Sequence, residues 1–165
     1  MKGYKVLDKG LINQYGFKYE LGKTYDLKGE LDYKTNGFCF CSNPETTLMF
    51  AGDKNNFDLT EVEALGKIVS GDDYFENRYY DINGLYATDK MIIKRLVPRE
   101  ELVSMVIESN NVDRLRFLNM YLKFTDEEIS KILEKYGNDM KAYIEYYQYG
   151  DKEAFNREYE RKRTI

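Results

Sequence analysis

The sequence predicts an α+β protein: a small, mainly antiparallel sheet with one short helix, followed by a C-terminal helical subdomain. Two observations carry this. Up to Val97, apolar residues alternate or gather in short runs, and Gly10, Gly16, Gly22 and Gly29 punctuate the chain every six or seven residues. Such spacing suits short strands joined by tight turns, because glycine reaches positive φ without steric cost. From Pro98 onward the apolar spacing becomes i, i+3, i+4, the period of helices. The 165-residue chain thus divides into a β-rich part, 1–97, and a helical part, 98–165. A sheet of that size is near the point where a single core is marginal, so the helices are expected to pack against it.

In the first part, Tyr4-Lys5-Val6-Leu7 predicts a short strand, and Phe17-Lys18-Tyr19-Glu20-Leu21 alternates with the period of a half-buried one. Gly37-Phe38-Cys39-Phe40-Cys41 predicts a compact buried strand that ends at the turn signal Ser42-Asn43-Pro44. Pro44 suits a first helical turn, capped by Asn43 or Ser42, so a short helix is expected through Phe50 and should stop at Gly52. Glu61 to Leu65 and Lys67 to Val69 predict one further strand, broken or bulged at Gly66, and Met91 to Val97 the last.

In the second part, Pro98 followed by Arg99-Glu100-Glu101 opens a helix with acids where its dipole favours them. Leu102, Met105 and Val106 keep helical spacing, and Leu115, Leu118, Tyr121 and Leu122 form the next stripe. Thr125-Asp126-Glu127-Glu128 predicts a capping box opening a third helix, with Ile129, Ile132, Leu133 and Tyr136 inward and Gly137 closing it. A fourth is expected from Asp139 to Tyr149 with Met140, Tyr143, Ile144 and Tyr147 inward. A weakly packed fifth follows Gly150, with only Ala154, Phe155 and Tyr159 to bury.

Composition removes several chemistries. Histidine is absent, so no Ser-His-Asp or Cys-His machinery and no imidazole base is available. Lys plus Arg is 25 against 29 for Asp plus Glu, a formal charge of −4. That balance argues against direct nucleic-acid binding, which draws on a basic excess. No run approaches the roughly 20 apolar residues that span a bilayer. Met1-Lys2-Gly3-Tyr4-Lys5 has no apolar run behind it, so a cytoplasmic protein is expected. No cofactor is implied.

Four groups of residues carry candidate chemistry. Cys39 and Cys41 share one side of a strand, with Phe38 and Phe40 on the other. Same-side neighbours on one strand lie about 7 Å apart, too far for an unstrained disulfide, and two thiols alone do not make a zinc site. They read as small buried thiols. From Asp53 to Asp89, nine acids stand against three bases. Within this stretch Asp72, Asp73 and Glu76 form a patch able to imitate phosphate charge and enter a basic groove, with Tyr74 and Tyr79 as apolar anchors. Tyrosine numbers 16, and the crowding of Tyr143, Tyr146, Tyr147 and Tyr149 on one helix should leave Tyr146 or Tyr149 outward as a second interface. Glu61 and Glu63 are a carboxylate pair at alternate strand positions.

The run Tyr15 to Tyr25, then Gly37-Phe38-Cys39-Phe40-Cys41-Ser42-Asn43-Pro44, resembles a domain family of unknown function found in bacteriophage and prophage proteins, with a G-F-x-F-C-x-x-P core over residues 1 to 97. That resemblance implies a phage origin and a bacterial host cytoplasm, and it carries no catalytic residues to transfer. Strand order and the Glu61 strand also resemble the ADP-ribosyltransferase fold, but the first strand offers Tyr4 and Lys5 where those enzymes present His or Arg. The function expected is a non-catalytic accessory protein that binds a host protein with a basic groove and inhibits an antiviral nuclease, anti-CRISPR-like. The alternatives are a phage structural or assembly component and a divergent ADP-ribosyltransferase-like, nucleotide-using enzyme.

Overall fold

The computed structural model describes residues 1–75 and 83–164. Contacts divide the chain into two compact units, Met1–Leu102 and Val103–Ile165.

The first unit is a seven-stranded antiparallel sheet. Its strands are β1 (Lys2–Asp8), β2 (Thr24–Asp26), β3 (Phe38–Cys41), β4 (Phe57–Ala64), β5 (Ile68–Ser70), β6 (Leu85–Thr88) and β7 (Lys90–Leu96). The spatial order is β2-β7-β4-β1-β3-β6-β5. β1 pairs with β4 along its whole length, from Lys2 opposite Glu63 to Asp8 opposite Phe57, and meets β3 at one pair, Tyr4 opposite Cys41. Phe40, Val62, Ala64, Met91 and Ile93 build the main core with Leu7 and Tyr19. Cys41 packs with Leu85 in a separate small cluster against Tyr33. Phenylalanines and thiols therefore take opposite sides of β3, as the alternation predicts.

β4 and β5 are consecutive in the chain, and so are β6 and β7. Yet β4 pairs with β7, and β5 with β6. These four strands are one antiparallel ribbon folded at Gly66 and Asp89. The fold is fastened by backbone bonds from Leu65 N to Lys90 O (2.8 Å) and Asp89 N to Lys67 O (3.3 Å), while the Asp89 carboxylate accepts from Lys67 N at 2.8 Å. A Cβ at Gly66 would sit 1.9 Å from that carboxylate oxygen.

Several expectations are corrected. Glu61 to Val69 is not one bulged strand: Gly66 is where the ribbon changes halves of the sheet. Phe17 to Leu21 is a loop. Positive-φ glycines at 16 and 22 turn the chain at both ends, and Leu11 O and the Tyr25 hydroxyl accept the N–H groups of Tyr19 and Glu20. Pro44–Phe50 is a 3₁₀ helix whose Asn43 makes no side-chain cap; Thr47 Oγ1 instead donates to Pro44 O at 2.7 Å. β2 and β6 lie where the sequence pattern predicts no strand.

The second unit is helical. α1 (Arg99–Glu108) crosses from one unit to the other and is followed by α2 (Val112–Tyr121), α3 (Asp126–Tyr136), α4 (Asn138–Tyr147) and α5 (Ala154–Arg163). The Thr125–Glu128 capping box is present with both bonds, at 3.2 and 2.9 Å, and Gly137 ends α3 at φ 55°. α4 packs against α2, α3 and α5. Tyr147, expected inward, is 37% exposed at the edge of the Tyr146 and Phe155 rings, and Gln148 is buried in its place. The Gln148 amide donates to Asn119 Oδ1 (2.7 Å), Asn119 O (3.2 Å) and Leu122 O (2.9 Å), and it accepts from Phe124 N at 2.8 Å. Tyr159 is exposed as well, so α5 buries Ala154 fully and rests Phe155 on the Tyr143 and Tyr146 rings.

Two substitutions test these arrangements by urea unfolding. Gln148→Leu keeps the volume but strands the partners of a buried amide, so it should cost about 2 kcal/mol or more. Gly66→Ala should cost about 1–3 kcal/mol by driving the Asp89 carboxylate off Lys67 N–H.

Candidate functional site

Because β1 and β3 share one backbone pair, they part on either side of it, and a side chain fastens the opening. Lys5 Nζ donates to Cys39 O at 2.8 Å across the gap. Gly3 makes room for the crossing: a Cβ there would meet Phe40 Cδ2 at 2.4 Å and Cys41 O at 2.8 Å. Beside this seam lies a cavity of about 500 Å³. Lys5, Leu7, Cys39 and Phe40 line it from the strands, Tyr33 and Thr35 from the loop before β3, and Asn13 to Tyr15 with Phe50 form part of its lining.

The cavity shapes the chemistry of its groups. Desolvation pushes the Lys5 ammonium below the ordinary lysine value. Burial likewise raises the Cys39 thiol and pushes that of Cys41 up to about 12, despite the nearby Lys5 charge. Both cysteines are free thiols. With Cys41 held protonated, the seam offers one amine donor and two unreactive thiols.

On the rim, the turn 13–17 is built by one side chain. Asn13 Oδ1 accepts from Tyr15 N and Phe17 N, each at 2.9 Å, and Gly16 takes φ 85° to close the turn. Tyr15 projects from it 85% exposed. Phe17 leans edge-on against Tyr19 (4.9 Å) and Tyr25 (5.8 Å), which anchors the turn to the core.

Residues 1–95 match the family described as Domain of unknown function (DUF7666). The chain belongs to that family. No curated protein and no solved structure matches it. The family match takes in the whole seam, because the residues lining the cavity all lie between 4 and 52.

The acidic patch takes a different form from the one the sequence suggests. Asp72 is half-buried and its carboxylate accepts from Leu85 N at 2.8 Å, so it fixes the start of β6 and is no free surface charge. Asp73 is exposed. Tyr74 falls in the 3₁₀ helix Asp72–Phe75, while Glu76 and Tyr79 lie outside the described residues. In the helical unit, Tyr146 stacks on Phe155 with centroids 4.7 Å apart and is half-buried, leaving Tyr149 as the exposed member of that pair. Glu61 and Glu63 are each engaged by cations. Lys2 and Arg95 both engage Glu61, and the Lys2 hydrogen bond, ahead of Arg95, holds its carboxyl below the usual range. Glu63 faces Lys94 at 3.4 Å. Arg95 also grips Glu101 through two hydrogen bonds, of 2.9 and 2.6 Å. Among the described residues no helix is long and apolar enough to cross a membrane, and no group of three His, Cys, Asp or Glu could hold a metal ion.

The sequence reading missed Lys5, Asn13 and Tyr15. Its available signal was a lysine between apolar residues in a strand, and an Asn two residues before an aromatic with glycine following.

Alkylation tests the thiol environment. At pH 8 a group titrating near 12 carries about a thousandfold less thiolate than an ordinary cysteine, and thiolate is the reactive form. Cys41 should therefore react with iodoacetamide about a thousandfold more slowly in the native protein than in urea, followed by peptide mass spectrometry.

Proposed function

We propose that this chain is a phage-encoded, non-catalytic accessory protein that binds a host protein through its rim turn and inhibits an antiviral nuclease. The observation that supports a binding role is the Tyr15 turn. The residue is 85% exposed, yet the backbone beneath it is held by two hydrogen bonds donated to Asn13 Oδ1. An exposed aromatic on a pre-ordered loop supplies contact area at little entropic cost, as interface anchors do. Phe17, Leu21 and Phe50 are further exposed apolar side chains of the same unit. The phage origin rests on the resemblance of the G-F-x-F-C-x-x-P core. A non-catalytic role accords with a sequence without histidine. A partner with a basic groove accords with the net charge of −4 and with Asp73, which would contribute mainly to the association rate.

Expression in a host whose nuclease-based immunity blocks an infecting phage should restore plating, and the tagged chain should retain the nuclease through purification. Tyr15→Ala should leave the melting temperature within about 2 °C, since exposed substitutions cost within about 0.5 kcal/mol. It should weaken nuclease retention about tenfold or more, chiefly through faster dissociation. Unaltered immunity with no nuclease retained would reject the inhibitor reading. Retention of a virion protein instead would favour an assembly role.

A further inference from the structure

We propose that the cavity at the β1–β3 seam binds a small organic anion, whose acid group meets the Lys5 ammonium and whose planar body lies against the tyrosine-bearing wall. The first support is geometric. Lys5 lines the cavity and spends one of its donors on Cys39 O at 2.8 Å. An ammonium carries three N–H donors, so two remain for a guest. Among the described residues no carboxylate lies within ion-pair distance of Lys5, whereas Lys2, Lys9, Lys90, Lys94 and Lys131 each have one. A cation withdrawn from water without a counter-charge is a costly arrangement. An anion in the cavity would supply the counter-charge that the described residues do not.

The second support is size and lining. About 500 Å³ falls within the range of small-molecule sites, which combine apolar and aromatic walls with a few polar groups. Here Tyr19, Tyr33, Phe40, Asn13 and Thr35 are among the lining residues. The charged side chains of the lining are Lys5, Lys34 and Asp8, two cations against one acid. The Lys5 ammonium favours a guest with a negative charge, and the volume exceeds what a bare inorganic ion fills. The depressed lysine value follows from the same desolvation, and an anion beside Nζ would reverse it. None of this depends on the partner-binding role of the Tyr15 turn.

The probe is phenyl phosphate, titrated into the intact protein and followed by NMR at the Lys5 side-chain ¹³Cε and the Cys39 amide, with exposed Lys131 as internal control. Inorganic phosphate and benzyl alcohol are titrated in parallel. Saturable shifts at Lys5 and Cys39, with affinity about tenfold or more above either control, are expected. Lys5→Met should weaken phenyl phosphate about tenfold or more. Should that variant fail to fold, the wild-type Lys5 resonance still decides. Saturation that leaves Lys5 unmoved, equal affinity for benzyl alcohol, or no saturation in the millimolar range would overturn the proposal. Equal affinity for inorganic phosphate would overturn its organic part and leave an inorganic-anion site.

Discussion

In a sheet, neighbouring strands are held by a ladder of backbone hydrogen bonds, but β1 and β3 share a single register pair, Tyr4 opposite Cys41. The features of the first unit that bear on function follow from that short junction. The parted strands need another connection, and the Lys5–Cys39 O bond supplies it. Using a lysine for that purpose draws an ammonium out of water, which depresses its basicity. The same parting opens the cavity, and Gly3 is required because the Phe40 ring and the Cys41 carbonyl occupy the space a side chain would take. A full ladder between β1 and β3 would remove the cavity and leave Lys5 with no carbonyl to seek.

The strands that flank this junction belong to one folded ribbon. β4 and β7 continue into β5 and β6 across the Gly66–Asp89 bend, so the two halves of the sheet are joined twice, covalently through the ribbon and by pairing through β1 and β3. Bending a ribbon increases the divergence of strands placed between its arms, since sheets already twist from strand to strand. At the bend, Asp89 replaces ladder bonds with its carboxylate. Among the remaining charged contacts of this unit, Arg95 ties β7 to Glu61 on β4 and to Glu101 at the start of α1. Those groups lie near the surface, where ion pairs contribute little each, so they shape local geometry more than stability.

What the sequence made legible was local. Alternation along Phe38-Cys39-Phe40-Cys41 assigned each side chain to its side of the strand. Thr125 and Glu128 announced a capping box because both partners lie within one turn. The bend was half legible: Gly66 was visible as an interruption, but a bulge and a change of sheet half leave the same mark, and only Asp89, 23 residues on, distinguishes them. Lys5 was illegible for a similar reason. Within Tyr4-Lys5-Val6-Leu7 it reads as an outward polar residue, and its acceptor on Cys39 is 34 residues away. Asp72 was misread as a surface charge because its partner, Leu85 N, lies beyond an acidic run with no apolar pattern of its own.

The aromatic residues show why composition alone does not tell which rings are exposed. Sixteen tyrosines suggest abundant exposed rings, yet in the helical unit Tyr143, Tyr146 and Phe155 stack into the contact between α4 and α5. They do so because Gln148 takes the inward position after α4, where its amide satisfies groups of Asn119, Leu122 and Phe124 that no tyrosine could reach at once. Tyr149 is left 63% exposed just before Gly150 at φ 71°, with its ring in none of the aromatic contacts formed by its neighbours. Tyr15 is 85% exposed but differs underneath, since Asn13 pins the amides of residues 15 and 17 and Phe17 locks against Tyr19 and Tyr25. Ordering a side chain on binding costs roughly 0.5–1.5 kcal/mol, and ordering the backbone adds about 1–2 kcal/mol per residue. A ring whose backbone is already fixed avoids the second cost. This difference, and not the number of tyrosines, is why the proposed anchor is assigned to the sheet unit.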